Sequence, residues 1–173
     1  MNLFFRFLWF VFRLRFVETK GFDALSSLSF RVLPTDSDYF QHHLTNSRFP
    51  SFMDLGRLHW LTQSGLRKEA KRRKLHVVVS ASQIMYLGLI RWGRRFDVET
   101  RVVYWDDKYF YLEYRFISAG KLCAVGLSKL VFMGAKGTVP LSHLLNSAAI
   151  DAPVLEECPD NIRDFIQSLS HRY

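Results

Sequence analysis

Residues 34–57 read PTDSDYFQHHLTNSRFPSFMDLGR, and this stretch decides the fold of the chain. Its first part is a polar loop with two aspartates, Asp36 and Asp38, and two adjacent histidines. The sequence from Asn46 to about Leu61 carries apolar residues that point to nearly every side of a helix, which marks a helix enclosed by other elements. These residues are Phe49, Phe52, Met53, Leu55, Leu58, Trp60 and Leu61. We therefore predict a buried helix, over about 46–61, that begins directly after a polar loop.

The flanking sequence predicts the sheet that encloses this helix. Before the loop, residues 28–32 alternate between apolar and polar side chains as a half-buried strand does. After the helix, residues 75–79 form a β-branched run, and residues 96–104, 109–117 and 122–133 are typical of three further strands joined by short turns. This order predicts an α+β hotdog fold, in which a curved antiparallel sheet wraps around a central helix.

Residues 34–57 also resemble the signature of the 4-hydroxybenzoyl-CoA thioesterase-like hotdog family, a loop of the form D-x-D-x-x-G-H-x-N-N that leads into the central helix. Three departures stand out: one extra residue lies between Asp38 and His43, Gln41 or His42 replaces the glycine, and Thr45 replaces the first asparagine. A weaker resemblance extends over residues 28–139. The resemblance implies an acyl-CoA thioesterase. The positions that match the signature are Asp36, Asp38, His43, Asn46 and Phe49.

The start of the central helix has a chemical use that follows from physics alone. The first N–H groups of a helix have no intrahelical partner and carry a partial positive charge, so they can stabilise the oxyanion formed when a thioester is attacked. The backbone N–H groups of Ser47, Arg48 and Phe49 are the expected donors. The family resemblance assigns the carboxylate that activates water, or attacks the carbonyl itself, to Asp38. The alternative is that Asp36 and Asp38 satisfy turn and cap N–H groups.

Three other residues of this stretch are candidates for the site. Asp54 is the rival catalytic carboxylate, because it sits nearly two turns into the enclosed helix; an ion pair with Arg57 or Arg48 is the favoured alternative for it. His43 is a candidate hydrogen-bond partner of the loop or of the substrate carbonyl, although a structural role is favoured. Asn46 is a candidate site residue whose favoured role is to cap the helix, with Thr45 as the other possible cap.

Two basic stretches are candidates to meet the phosphates of coenzyme A. The first is KEAKRRK at 68–74, for which a solvated surface is the favoured alternative. The second is the loop GLIRWGRR, whose Arg91, Arg94 and Arg95 are the predicted phosphate contacts and in which Trp92 could stack on the adenine; a structural turn is at least as plausible for it. Neither stretch has the pattern of a phosphate-binding loop.

Composition limits the partners. The hydrophobic fraction of 49% and the 16 phenylalanines exceed what one small core easily hides, so we expect a homodimer, or a dimer of dimers, with the acyl site at the subunit interface. The two cysteines share no ligand spacing with histidines, so we expect no disulfide framework, no metal site and a reducing, cytoplasmic compartment. No cofactor is expected beyond the CoA of the substrate. The net charge of +8 suggests an anionic partner.

The two ends of the chain are expected to add to the hotdog domain. We predict an apolar segment over residues 1–24, the domain over 25–139 and a helical extension over 140–173. Residues 1–16, MNLFFRFLWFVFRLRF, contain three arginines and fall short of the ~20 apolar residues that span a bilayer, so they suit either an interfacial, peripheral membrane helix or a helix packed on the domain. The extension is predicted to hold two helices, the second amphipathic and starting at Asp160.

These observations favour hydrolysis of an acyl-CoA thioester to the free acid and CoA, with the acyl chain in the apolar interior between helix and sheet. The alternative is a non-catalytic hotdog protein that binds acyl groups or a membrane-associated partner. Nucleic acid is not expected as a partner, because the chain lacks a recognisable reading motif.

Overall fold

The protein forms one six-stranded antiparallel sheet that curls around a helix. The structure is a computed structural model, and it describes residues 8, 10–37, 42–152 and 158–170. The strands are β1 (Ser26–Arg31), β2 (His76–Tyr86), β3 (Arg95–Trp105), β4 (Phe110–Ser118), β5 (Lys121–Gly134) and β6 (Gly137–Val139). The helices are α1 (Phe49–Gln63), α2 (Leu66–Arg72), α3 (Leu141–Ala148) and α4 (Asp160–Ser170).

The strand order in the sheet is β1-β3-β4-β5-β2, and β6 pairs with the end of β5. All pairings are antiparallel, and short turns join β3 to β4 and β4 to β5 as predicted. β1 and β2 are therefore the two edge strands. β2 is the longer edge, with 11 residues against six in β1, and its pairing with β5 contains a register shift between Val79 and Ala81.

Helix α1 lies against the concave face of the sheet, as its all-round apolar pattern predicts. Trp60 and Phe52 are fully buried, and Phe52 contacts Phe96 of β3 with ring centroids 5.0 Å apart. Gly56 allows the closest approach, since a Cβ at that position would collide with the Thr100 hydroxyl of β3. This arrangement confirms the predicted hotdog layout.

Helix α2 corrects one sequence prediction. The basic stretch 68–74 is not simply solvated, because most of it is helical and Glu69 is buried. The Glu69 carboxylate accepts hydrogen bonds from Arg72 Nε at 2.8 Å and Arg73 Nε at 2.6 Å, and from the Ser147 hydroxyl of α3 at 2.7 Å. The hydrogen bonds from Arg72 and Ser147 hold the pKa of Glu69 far below its ordinary value, although burial acts in the opposite direction. Glu69 therefore ties α2 to α3.

The described part of the N-terminal segment packs on the domain. Phe10 and Leu14 are buried in the main core, while Leu8, Phe12 and Phe16 are 49%, 50% and 73% exposed. The three exposed residues are four apart, so they share one side of a helical segment. The described part of this segment therefore packs on the domain, which is one of the two predicted arrangements; the other was an interfacial membrane helix. Residues 1–7 and 9 lie outside the described residues.

Helix α4 covers the convex face of the sheet. Its residues Ile162 and Phe165 are buried in a second apolar cluster with Tyr111 of β4 and Leu127 of β5. The predicted amphipathic spacing from Asp160 is therefore confirmed, and the shorter helix after Pro140 is present as α3. In the described part of the chain, no helix has the length and apolar character needed to cross a bilayer.

We expect Glu69→Gln to destabilise the protein at neutral pH and to flatten its acid denaturation. Because the folded-state pKa of Glu69 is lowered, its stabilising effect is present above the unfolded-state pKa, near 4.5, and is lost as the pH falls below that value. Urea unfolding at pH 7 and at pH 3 measures this: the difference in free energy between wild type and variant should shrink at pH 3. Asp160→Asn, which removes an exposed pair with Arg163, is the control and should change stability little at either pH.

Candidate active site

A cavity of about 270 Å³ lies at the start of helix α1. One wall is the segment that leads into the helix, and the opposite wall is the end of β2 with the connection that follows it. The cavity is lined by His43, Leu44, Asn46, Phe49, Tyr86, Leu87, Gly88, Leu89 and Ile90. It holds three of the predicted site residues, His43, Asn46 and Phe49, at one place. We call it the helix-tip cavity.

Backbone hydrogen bonds fix the two walls to each other. Leu44 N–H donates to the Ile90 carbonyl at 2.8 Å, and Trp92 N–H donates to the His42 carbonyl at 2.8 Å. His43 also forms an isolated antiparallel bridge with Arg91. The loop before the helix is therefore attached to the β2–β3 connection as a short piece of sheet, which holds His43 beside the cavity.

Tyr86 closes the cavity from the end of β2. Its ring packs edge-on against Phe49 with centroids 5.1 Å apart, and its hydroxyl donates to the Asn46 carbonyl at 3.4 Å. Tyr86 was not among the site residues predicted from the sequence. No local signal marks it, because Tyr86 reaches the helix tip only through the antiparallel pairing of β2 with β5.

The helix tip itself has no side-chain cap. The cap position is Arg48, not Asn46 or Thr45, because residues 46–48 form a 3₁₀ turn that precedes the helix. The Thr45 and Ser47 hydroxyls bond each other at 2.7 Å instead. The predicted capping role of Asn46 is therefore wrong. Asn46 is exposed and lines the helix-tip cavity.

The 3₁₀ turn also changes which N–H groups are available. Arg48 N–H donates to the Thr45 carbonyl at 2.9 Å, and Phe49 N–H donates to the Asn46 carbonyl. Of the three predicted oxyanion donors, Ser47 N–H alone has no hydrogen-bond acceptor among the described residues. Within the described residues, this N–H group and the side-chain amide of Asn46 are thus two donors near the helix tip that have no acceptor.

Of the two loop aspartates, Asp36 is among the described residues and is buried. Asp36 is 1% exposed, accepts a hydrogen bond from Leu33 N–H at 3.1 Å and lies 3.9 Å from Arg48 Nε, so the alternative role in a turn describes it well. Arg48 also donates to the Thr35 carbonyl at 2.8 Å. Asp38 lies outside the described residues. Its neighbour Ser37 pairs with Leu44, which lines the helix-tip cavity.

Asp54 is not the buried acid that its position in the helix suggested. Its side chain is 63% exposed and pairs with Arg57, whose Nη2 lies 2.7 Å from Oδ1. This exposure was not predicted, because Asp54 lines an open cavity between α1, α2 and the start of β2 that a helical pattern does not reveal. The favoured ion pair with Arg57 is confirmed.

The three arginines predicted to bind phosphate are not gathered at the helix-tip cavity. Arg91, Arg94 and Arg95 are all exposed, and none lines that cavity. Arg91 is near it through the backbone bridge to His43, whereas Arg95 begins β3 opposite Arg31 and borders a different cavity beside β1. The structural-turn alternative fits this segment, since Arg94 N–H closes a turn onto the Arg91 carbonyl at 3.1 Å.

The interior between helix and sheet does not offer the expected acyl space. Side chains fill it: Phe52, Trp60, Phe96, Phe110, Phe116 and Phe132 are each 1% exposed or less. Their ring contacts form two runs, Phe52–Phe96–Phe116 and Trp60–Phe110–Phe132, with centroid separations of 5.0–6.3 Å. The cavities described here lie instead at the rim of the fold.

A larger cavity, of about 620 Å³, opens between α1, α2 and the start of β2. We call it the basic cleft. Its floor is apolar, with Leu58, Leu61, Leu75 and Val77, and its other lining residues include five basic ones: Arg57, Arg67, Lys71, Lys74 and His76. Part of a sequence signal for it exists, since Arg67 and Lys71 are four residues apart and share one face of α2, whereas Lys74 follows the end of the helix.

His59 and the two cysteines have structural surroundings. His59 Nδ1 lies 2.7 Å from the Ser26 hydroxyl, and burial, followed by the nearby Lys20 and Arg13, lowers its pKa. Cys123 is buried and Cys158 is partly buried, both as free thiols. Among the described residues, no three His, Cys, Asp or Glu side chains are grouped as a metal site would need.

Comparison with known proteins gives the family. The Thioesterase-like superfamily matches residues 32–162, which is most of the chain. Protein THEM6 of Danio rerio is 38% identical over 130 residues, covering 73% of this chain and 63% of the relative. Matches to proteins of the same name from Drosophila melanogaster and Xenopus laevis cover 50% and 42% of those relatives, so the chain spans less than two thirds of their length.

Solved structures of other proteins show the same fold. YbaW, a probable thioesterase from Escherichia coli, has a TM-score of 0.65 at 18% identity, covering 72% of this chain and 96% of that one. SAV2348 from Staphylococcus aureus, solved in complex with CoA, has a TM-score of 0.65 at 13% identity, covering 81% and 94%. With most of its length matched by the family and its sheet wrapped around one helix, the chain belongs to the Thioesterase-like superfamily of hotdog proteins.

Proposed function

We propose that this protein hydrolyses an acyl-CoA thioester to the free acid and CoA, with the thioester carbonyl at the helix-tip cavity. The observation that carries the proposal is the uncapped start of α1 beside that cavity. An uncapped helix tip concentrates partial positive charge where a carbonyl oxygen becomes negative during attack. Membership of the superfamily supports the same reaction class.

The reaction needs three groups in this proposal. Asp38 either takes a proton from water, which then attacks the carbonyl carbon, or attacks that carbon itself. The Ser47 N–H and the Asn46 amide donate to the carbonyl oxygen as it gains charge. The tetrahedral intermediate then collapses, the C–S bond breaks, and CoA leaves as a thiolate that takes up the proton released by the attacking water. Where Asp38 attacks the carbon itself, the collapse leaves an acyl–aspartyl anhydride, which a water molecule then hydrolyses to the free acid and the Asp38 carboxylate. His43, beside the cavity, is placed to hydrogen-bond the substrate carbonyl or the loop.

The proposed enzyme acts as a homodimer joined through the β2 edge. No described strand pairs with the outer side of β2, and its apolar residues Val78, Val79 and Met85 are 38%, 38% and 62% exposed. The connection that follows adds Leu87 and Leu89, which are 53% and 66% exposed. A long apolar edge strand is a template for pairing with another chain, and a two-fold axis pairs β2 with the β2 strand of a second copy.

The proposal also includes peripheral contact with a membrane surface through the N-terminal segment. The exposed side formed by Leu8, Phe12 and Phe16 is bordered by Arg13 and Arg15, a combination suited to the interface of an anionic bilayer. The opposite side is anchored on the core by Phe10 and Leu14. The aromatic residues would thus be presented outward by the domain itself.

The catalytic assignment is tested with a panel of acyl-CoAs and a thiol-release assay. We expect Asp38→Asn to lower kcat about a hundredfold or more, because the attacking water loses its base. Asp54→Asn is the matched control, since this carboxylate is exposed and paired with Arg57, and it should stay within about twofold of wild type. Turnover that survives in Asp38→Asn and disappears in Asp54→Asn would reverse the assignment. Acyl-CoA binding with no turnover in wild type would favour the non-catalytic alternative.

The dimer is tested by light scattering after gel filtration. We expect wild type to be dimeric, and Val79→Glu/Met85→Glu to be monomeric, because two like charges per subunit then face each other across the edge. Leu25→Glu adds a charge at an apolar residue that is 49% exposed and away from β2, and should remain dimeric. A wild-type monomer, or a double variant that still dimerises, contradicts the β2 interface.

Membrane contact is tested by cosedimentation with phosphatidylcholine vesicles that contain phosphatidylserine. We expect Phe12→Asp/Phe16→Asp to lower the bound fraction several-fold, since two interfacial aromatic anchors are replaced by charges that an anionic surface repels. Turnover of a soluble acyl-CoA should change less than about twofold. Leu25→Asp serves as the control for a charge added elsewhere. Equal bound fractions for wild type and the double variant would remove the membrane proposal.

A further inference from the structure

We infer that a groove beside β1 binds the headgroup of an anionic membrane phospholipid. The groove consists of two adjoining cavities, of about 590 Å³ and about 330 Å³, and we call it the β1 groove. Both cavities are lined by Phe10, Arg13, Leu28 and His59, so the groove lies between the N-terminal segment and the edge strand β1, with His59 of α1 beside it. This inference rests on the membrane contact in the proposed function and names the ligand recognised there.

The charges that line the β1 groove favour an anionic ligand. Four lining residues are exposed cations: Arg13, Lys20, Arg31 and Arg95. Within the described part of the chain, Glu18 is the one carboxylate of the lining. Arg31 and Arg95 are directly opposite each other in the pairing of β1 with β3, so two positive charges lie side by side at the rim. No described carboxylate forms an ion pair with Arg13, Lys20 or Arg95, so the groove carries uncompensated positive charge.

His59 reports the positive potential inside the groove. Its ring is half-buried, and Nδ1 lies 2.7 Å from the hydroxyl of Ser26 in β1. Burial lowers the pKa of His59, and the positive charges of Lys20 and Arg13 lower it further. The two cations therefore act on the interior of the groove as well as on the solvent outside it. An anion bound between them offsets that potential.

Apolar side chains in the groove favour a phospholipid over a free phosphate ion. Leu28 and Phe30 of β1 are half-buried beside Phe10, so part of the surface that a ligand meets is apolar. The larger cavity falls within the roughly 300–1,000 Å³ of sites that enclose a small molecule. A phospholipid joins a phosphate group and acyl chains through one glycerol, so one molecule contacts the cations and covers the apolar residues.

Phe16 connects the groove with the surface proposed to enter the membrane. It lines the smaller cavity, and it is also one of the three exposed residues, with Leu8 and Phe12, on the outward side of the N-terminal segment. When these aromatic rings reach the boundary of the acyl chains, the cations of the groove lie at the depth of the lipid headgroups. Membrane lipid is therefore the source of phosphate that this position favours.

The groove is tested with dihexanoyl phosphatidylserine below its critical micelle concentration, so that lipid binding is measured without a membrane surface. We expect calorimetry to show about tenfold weaker binding to Arg95→Glu than to wild type, because a repulsive charge replaces a phosphate contact. Arg94→Glu is the matched control, since Arg94 is the adjacent exposed arginine and does not line the groove; it should change binding less than about twofold. Equal losses in the two variants, or none in Arg95→Glu, would overturn the inference.

The Arg95→Glu variant should keep its fold. The introduced carboxylate lies opposite Arg31, which is an attractive cross-strand pair, so the sheet is not weakened at this point. Circular dichroism and thermal unfolding verify this for both variants before lipid binding is compared.

Two further ligands separate the contribution of charge from that of apolar contact. Dihexanoyl phosphatidylcholine, whose headgroup has no net charge, should bind about tenfold more weakly than the phosphatidylserine lipid. Inorganic phosphate, which has no acyl chains, should also bind at least about tenfold more weakly. Equal binding of the phosphatidylcholine lipid contradicts recognition of an anion, and phosphate bound as tightly as the lipid contradicts a lipid site.

An NMR titration of the His59 ring locates the bound lipid. We expect the pKa of His59 to rise when dihexanoyl phosphatidylserine is bound, because the phosphate offsets the positive charges of Lys20 and Arg13. Lipid binding that leaves the pKa of His59 unchanged places the lipid elsewhere on the protein and overturns the inference.

Vesicles that contain phosphatidylserine distinguish this inference from the proposed membrane contact. Arg13→Glu and Arg15→Glu change the charge of the N-terminal segment equally, but Arg15 does not line the groove. We expect Arg13→Glu to lower the cosedimented fraction several-fold and Arg15→Glu to lower it about twofold. Equal losses contradict the headgroup site and leave the membrane contact standing. A wild type that binds the soluble lipid in the groove but binds no vesicles contradicts the membrane contact and supports the groove as a lipid site.

Discussion

Burial of helix α1 against the concave face of the sheet is the constraint on which the rest of the structure depends. The contact between Gly56 and Thr100 brings the helix axis close to β3, and the rings of Phe52 and Trp60 fill the space on either side. Because those side chains fill the space between helix and sheet, the helix-tip cavity and the basic cleft lie where the helix passes the β2 edge. Both are parts of the rim of the fold.

Most of the fold could be predicted from the sequence because its signals are local. Alternation in the strands and the all-round apolar character of α1 located the core elements, although β2 runs seven residues beyond the predicted 75–79. Helix α2 was missed because its outward face is so basic that KEAKRRK resembles solvated coil. Its burial comes from Glu69, a charged residue that becomes an interior one only because two arginines and Ser147 surround it. Strand β6 was not predicted, since three residues carry too little pattern.

The site was less predictable, because its residues meet through pairing of distant segments. His43, Asn46 and Phe49 were identified from one continuous motif, and they do lie together. Tyr86 belongs to the same cavity but comes from β2, about forty residues away, and no spacing rule links it to the loop. Asp54 was expected to be buried because its neighbours in the helix are apolar. Its exposure depends on the edge of the sheet, which a helical pattern does not contain.

Helix α4 has a consequence for how copies of this protein can meet. Ile162 and Phe165 occupy the convex face over Tyr111 and Leu127, a place where a bare sheet would present a broad apolar surface. The chain thus supplies its own second layer over that part of the sheet. In the proposed dimer the sheet grows sideways instead, strand against strand along β2, and a two-fold axis there uses up the β2 edge of both copies at once.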